Sequence, residues 1–250
     1  MTRKNLIVFT IVAIAVLAAA VTVFSILSKN PTNVAPIDVV VEKGIEATRP
    51  KADPFKTEKI IGAYYKIDLE YPKASVGTLE GIDAYIERVK ADFFTVVPKN
   101  EEEAVEIGMT KDRAYILDIN TIVYTSSSTI TYKLETYTDT GGAHGSTFVT
   151  TFTYDKEGKL INLNNILTSS DSLKKVSAKA RPYFYSKLKD STQREIIDMG
   201  TEPEVDNFNA WYINDAGITF VMQQYQIGPY VIGIQEFPMT RAQVDGVLKI

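Results

Sequence analysis

His144 is the only histidine in the chain, and there is no cysteine. Those two facts restrict the available chemistry more than any motif does. The common zinc arrangements need several histidine or cysteine ligands, so none can be assembled here, and no metal or cofactor is expected. A Ser-His-Asp triad would have to run through His144. Ser146 is close by, yet no serine sits in a Gly-x-Ser-x-Gly elbow. His144 lies in Thr140-Gly141-Gly142-Ala143-His144-Gly145, and no Lys-Ser/Thr follows these glycines as a phosphate loop requires. The residues favour a glycine-enabled turn or bulge with His144 hydrogen-bonded in place. Ligand contact ranks second, catalysis last, and no catalytic residue is assigned.

A second constellation is Tyr225-Gln226-Ile227-Gly228-Pro229-Tyr230-Val231-Ile232-Gly233. Gly228-Pro229 marks a turn or a rigid crossing between strands. Gly233, inside a strand pattern, points to close backbone approach. The first reading is fold architecture. The functional alternative is an aromatic contact patch of Tyr225 and Tyr230, since tyrosine is favoured at interfaces. The acidic run Glu101, Glu102, Glu103 and Glu106 lacks the alternating carboxylates and turn glycine of a calcium loop, and reads as a solvated loop or helix start. Glu202, Glu204 and Asp206 read as surface. A carboxylate pair for glycoside hydrolysis is compatible with the composition, but no pair stands out.

The elements that must hold these residues follow from periodicity. Ile60 to Tyr71 reads as an early strand ending at Pro72. Ile82, Tyr85, Ile86, Val89 and Phe93 recur at helical spacing, with Thr78 as a cap and a face that should pack on a sheet. Three strand segments follow, Ala114–Tyr124, Thr129–Tyr137 and one through Phe148, Phe152 and Tyr154, with a turn at Asp155–Gly158. Asn162–Leu167 and Leu173–Leu188 look helical, with Ser169, Ser170 and Asp171 as caps and a kink or break expected at Pro182. The last strands are Phe208–Ile213, Ile218–Gln223 and Val231–Phe237, and Thr240 to Gln243 fits a capping box. Helices and strands come in groups, which predicts an α+β fold with a mostly antiparallel sheet and packed helices.

Residues 6–27 form an uncharged, mainly apolar run, preceded by Arg3 and Lys4 and followed by Lys29. Roughly 20 such residues cross a bilayer as a helix. A cleaved signal has a shorter apolar core. Ala18-Ala19-Ala20 could supply a cleavage site, but apolar residues continue to Leu27, so an uncleaved anchor is expected. The positive flank keeps residues 1–5 cytoplasmic and places the rest outside, as a single-pass cell-membrane protein. Residues 28–54 carry Pro31, Pro36, Pro50 and Pro54 and read as an extracytoplasmic linker, with Val39–Val41 as a short strand or docking patch. With Arg3 and Lys4 set aside, the 27 basic residues become 25 against 31 acidic ones. An acidic outer part argues against nucleic acid and is compatible with a basic protein ligand.

Several of these pieces together resemble a bacterial family. It comprises the ectodomains of RsiV-type anti-sigma factors and the non-catalytic N-terminal module of PdaC-type peptidoglycan deacetylases. The matching residues are Tyr71-Pro72, Tyr137 through Gly145, Phe152 to Asp155 with Gly158-Lys159-Leu160, and Leu163 to Leu167. Further on come Phe220, Gln224 through Tyr230, Gly233 and Phe237-Pro238. The resemblance implies two subdomains, here residues 55–150 and 151–250. It also implies that Gly141, Gly142, His144, Gly145, Tyr225, Pro229 and Tyr230 are fold-signature or ligand-contact residues. Its expected partners are lysozyme, peptidoglycan or another envelope protein. The five-residue tail before the apolar run is too short to hold a sigma factor, and no deacetylase metal set is present, so neither role carries over. The expectation is a membrane-anchored, non-catalytic binding module. The alternative is a cell-wall hydrolase using a carboxylate pair or His144.

Overall fold

A computed structural model describes residues 54–74, 79–109 and 113–250. The apolar run, most of the proline-bearing linker, Val39–Val41 and Thr78 lie outside the described residues. Among those described, no helix is long and apolar enough to cross a membrane.

Six strands form one sheet in chain order: β1 (Phe55–Ile61), β2 (Tyr65–Pro72), β3 (Tyr115–Thr125), β4 (Thr129–Asp139), β5 (Ser146–Asp155) and β6 (Leu160–Ile161). Neighbours are antiparallel except β2 and β3, which are parallel. A parallel pair needs a long crossover. It is supplied by helices α1 (Ile82–Val96) and α2 (Glu101–Glu106). The expected single early strand is a hairpin instead. Gly62 donates its N–H to the Tyr65 carbonyl and turns the chain between β1 and β2. The acidic run is a helix start: the Asn100 side chain accepts from the Glu103 N–H and caps α2.

The second half holds helices α3 (Leu163–Ile166), α4 (Ser172–Lys187) and α5 (Arg194–Gly200), then a 3-10 turn at Val205–Phe208. Strands β7 (Trp211–Asn214), β8 (Gly217–Met222) and β9 (Gln235–Thr240) form a three-stranded antiparallel sheet, and α6 (Arg241–Val244) follows. Thr240 and Gln243 make the reciprocal capping bonds expected of them. Pro182 does not break its helix, because α4 runs through it. The buried stripe of Leu173, Val176, Ala180 and Phe184 spans both sides of the proline and anchors both halves on one core. Val231-Ile232 are not strand residues. They lie in a 3-10 turn, Tyr230–Ile232, and β9 begins only at Gln235.

Period-two burial divides the large sheet into two faces. Leu117, Ile119, Tyr132, Leu134 and Tyr154 pack under α1 with Ile82, Ile86 and Phe93. The opposite face meets the small sheet through Val149, Ala210, Tyr212 and Val221. A third cluster lies between the small sheet and α3 to α6, centred on Phe184, Phe208, Phe220 and Phe237.

Candidate functional site

The two sequence motifs, more than eighty residues apart, meet at one surface. The link between β4 and β5 carries His144, and the loop after β8 carries Tyr225 and Tyr230. The imidazole stacks on the Tyr230 ring, with centroids 3.8 Å apart and planes 25° from parallel. The Tyr225 hydroxyl lies 3.2 Å from His144 Nε2. His144 Nδ1 lies 2.9 Å from the Gly145 carbonyl oxygen. A carbonyl only accepts, so this bond places a proton on Nδ1 and makes Nε2 the acceptor from the Tyr225 phenol in the neutral ring. Tyr230 donates to the same Gly145 carbonyl at 3.1 Å. Both imidazole nitrogens are thus engaged, one by backbone and one by a phenol.

Local backbone explains why these residue types stand here. The Asp139 carboxylate accepts from the Gly141 N–H, and Arg113 donates to the Gly142 carbonyl, which folds the link back on β4. At Gly145 a Cβ would lie 2.2 Å from the Tyr137 hydroxyl oxygen, so only glycine fits beside that ring as it stands. Gly233 has φ 64° with open space around it, so its requirement is left-handed backbone and not the expected close approach. Pro229 is exposed and precedes the 3-10 turn that presents Tyr230. Tyr225 has φ 65° and is the only non-glycine residue at positive φ among those described. This conformation costs roughly 1–2 kcal/mol for an L-residue. It persists only where surroundings fix it.

What fixes it is a set of three glutamines, of which the motifs include Gln224 and Gln226 without giving either a role. Gln223 accepts from the Val149 N–H at 2.9 Å and donates to the Val149 carbonyl at 2.8 Å, pairing with the edge of β5 as a strand would. Gln224 accepts from the Thr147 N–H at 2.8 Å and from the Ser146 hydroxyl at 3.2 Å. Gln226 accepts from the Gln223 N–H and donates to the Gly200 and Asn207 carbonyls. Most of their partners are backbone groups of distant elements, so no short-range pattern reveals them.

A groove of about 590 Å³ opens nearby, between α1 and the β4–β5 end of the large sheet. One wall is the helix stripe of Arg88, Asp92 and Val96; the floor includes Thr136, Thr138 and Phe148. Cross-strand pairing sets Thr136 opposite Phe148 and Thr138 opposite Ser146. Tyr85 Oη and Thr136 Oγ1 share a buried hydrogen bond of 2.7 Å.

Between the two sheets a buried lysine meets two half-buried carboxylates. Lys133 of β4 is 2.9 Å from Glu236 of β9 and 3.1 Å from Glu135. Burial pushes the Lys133 ammonium down, but the two carboxylates together hold it above its ordinary value. Tyr212 donates to Glu236 and stacks on Tyr124 with centroids 3.6 Å apart. Burial pushes the Tyr124 hydroxyl up to about 12. Among the described residues no group of three or more His, Cys, Asp and Glu converges as metal ligands. Glu202, Glu204 and Asp206 are exposed, as expected.

Residues 162–242 match the family described as "Protein of unknown function (DUF3298)". The match includes Tyr225, Pro229 and Tyr230 and begins after His144. The peptidoglycan-N-acetylmuramic acid deacetylase PdaC of Bacillus subtilis (strain 168) is 23% identical over 190 residues, covering 75% of this chain. The aligned part is 40% of that relative, so the chain spans about two-fifths of its length. Two solved structures share the fold. A DUF3298 family member from Bacteroides fragilis superposes with a TM-score of 0.56 at 18% identity, covering 80% of this chain and 94% of that one. A DUF3298 family protein from Pseudomonas aeruginosa PAO1 gives a TM-score of 0.56 at 16% identity, covering 82% and 97%. The chain carries a DUF3298 domain, and its likeness to PdaC agrees with the resemblance read from the motifs.

Proposed function

We propose that this DUF3298-bearing chain is a non-catalytic recognition module of the bacterial envelope, anchored in the membrane by residues 6–27. Its described part stands outside the cell, where the ligand is peptidoglycan or lysozyme. The observation that carries this reading is the surface formed by His144, Tyr225 and Tyr230. Tyr225 is 56% exposed and held in a strained conformation, and the adjoining Val231 is 85% exposed. Strain of this kind concentrates at binding and switch positions, and exposed tyrosines serve as anchors in protein recognition. His144 supports recognition over hydrolysis, because its nitrogens bond a backbone carbonyl and a phenol. The name of the PdaC relative points to peptidoglycan as the surrounding polymer, and the acidic net charge of −4 suits a basic protein such as lysozyme.

The test is calorimetry of the purified full chain in detergent with a basic animal-type lysozyme, at low and physiological salt. Saturable binding at micromolar Kd or tighter, about −8 kcal/mol or better, that Tyr225→Ala weakens is the expected result for a lysozyme receptor. Absence of binding to lysozyme and to wall polymer alike overturns the recognition reading. A wall-digestion assay addresses the enzyme alternative. Wild-type turnover that a still-folded His144→Ala variant loses would replace recognition with hydrolysis.

A further inference from the structure

The groove between α1 and the β4–β5 end of the large sheet is not needed to close the core beneath it. Ile82, Ile86 and Phe93 already bury the helix against the sheet. What remains is an open trough of about 590 Å³, within the range of roughly 300–1,000 Å³ typical of ligand sites. We infer that this groove binds a glycan strand of N-acetylated sugars. The inference deepens the recognition reading above and rests on it for the ligand's location.

The lining has the two chemistries that a pyranose ring presents. A pyranose has an apolar face of C–H bonds and a rim of hydroxyls. Phe148 is 53% exposed on the sheet floor, and Val96 is 50% exposed on the helix wall. An aromatic ring left open beside a row of hydroxyls offers a platform for the apolar sugar face. The row is built by register. Thr136 and Thr138 occupy alternate positions of β4 and share a face, with Ser146 opposite Thr138, and Thr140 just beyond the strand lines the same groove. Thr136 is committed to Tyr85 and Ser146 to Gln224. The hydroxyls of Thr138 and Thr140 have no partner among the described residues, and they bond the sugar rim.

The charges on the helix wall select among ligands. Arg88 lies over the Tyr85 ring, 5.5 Å from its centroid, and neither it nor Asp92 has an ion-pair partner among the described residues. One cation and one anion on the same wall complement a neutral, hydrogen-bonding chain, not a polyanion or a polycation. Asp92 accepts from a hydroxyl or acetamido N–H, Arg88 donates to an acetamido carbonyl, and the acetamido methyl packs on Val89 and Val96.

The test uses the purified full chain in detergent and a soluble tetramer of β-1,4-linked N-acetylglucosamine, titrated by calorimetry, with cellotetraose as the control lacking acetamido groups. Expected is saturable binding to the acetylated tetramer that weakens by roughly tenfold or more in Phe148→Ala and Asp92→Asn. Weaker binding of cellotetraose and unchanged binding by the remote, exposed surface variant Lys189→Ala complete the expected pattern. Both groove residues are exposed, so their variants should melt as the wild type does. The inference is overturned by no saturable binding of the acetylated tetramer, or by equal affinity for cellotetraose. It is also overturned if folded groove variants bind as the wild type does. If Tyr225→Ala alone abolishes sugar binding, the aromatic surface is the glycan site. The recognition reading then stands while the groove inference falls.

Discussion

At the residue scale, two glycines separate close approach from backbone conformation. Gly200 lies against another strand of backbone: a Cβ there would be 2.0 Å from the Gln226 carbonyl oxygen. Backbone cannot swing aside as a side-chain tip can. Gly200→Ala should therefore lower stability by about 3 kcal/mol and disturb the Gln226 bonds that shape the Tyr225 loop. Gly233→Ala meets no neighbour and carries only the left-handed penalty, about 1 kcal/mol. Urea unfolding of the two variants checks the contrast. Tyr225 supplies a second comparison. Glycine at this position relieves backbone strain and loses the ring's contacts with Tyr230 and His144. Those contacts are worth about 0.5–1.5 kcal/mol. Tyr225→Gly is expected to change stability by less than about 1 kcal/mol while weakening lysozyme binding at least as much as Tyr225→Ala. Equal binding by wild type and variant would remove Tyr225 from the interface.

At the element scale, the first hairpin is tied to α1 through Glu58. Its carboxylate takes bonds from Lys56 at 2.5 Å, Tyr71 at 2.5 Å and Lys90 of α1 at 3.1 Å. Lys56, then Tyr71, hold the Glu58 carboxyl down, from 4.5 to about 2. A lowered carboxyl pKa stabilises the fold above the unfolded value, and that contribution is lost as pH falls through the folded value. Wild-type stability should therefore decline between about pH 4.5 and 2, by about 1 kcal/mol from this group because its main partner, Lys56, is half exposed to solvent. Glu58→Gln should be less stable at neutral pH and flatter across that window, as acid titration followed by circular dichroism will show. The element scale also explains the misread boundaries. Ile60 to Tyr71 looks like one strand because apolar residues sit on both sides of Gly62, and hairpin turns of this kind have no distinctive pair of turn residues. Val231-Ile232 have strand-like composition, but the positive φ of Gly233 ends the preceding turn before pairing can begin.

At the scale of the whole molecule, the question is whether the two sheets unfold together. The Lys133 side chain is 6% exposed and bridges β4 to Glu236 of β9, while Tyr124 stacks on Tyr212 across the same boundary. The expected division near residue 150 falls within β5, which runs from Ser146 to Asp155. The molecule carries one tryptophan, Trp211, buried in β7 of the small sheet. Its fluorescence and far-ultraviolet circular dichroism should report the same urea midpoint in the wild type. Two separated transitions would instead establish two independent subdomains. Lys133→Met leaves Glu236 without its closest cation, but that carboxylate is 37% exposed and keeps the Tyr212 hydrogen bond, so stability should fall by about 1 kcal/mol.

Sequence alone determined what periodicity and end signals encode. The Ile82 to Phe93 spacing gave α1, the alternation from Tyr115 to Tyr154 gave the three long strands, and Thr240 with Gln243 gave the last cap. It also set the chemical exclusions, because one histidine and no cysteine limit what any fold can assemble. Both motifs were visible as motifs. Their meeting was not, since it depends on Gln223 pairing with the β5 edge and on Gly145 yielding space to Tyr137. The groove was equally hidden. Its helix wall and its floor become neighbours only because the β2–α1–α2–β3 crossover lays α1 across one face of the sheet. Local patterns act over a few residues, whereas these contacts join positions about fifty to eighty residues apart, so only the tertiary structure could decide them.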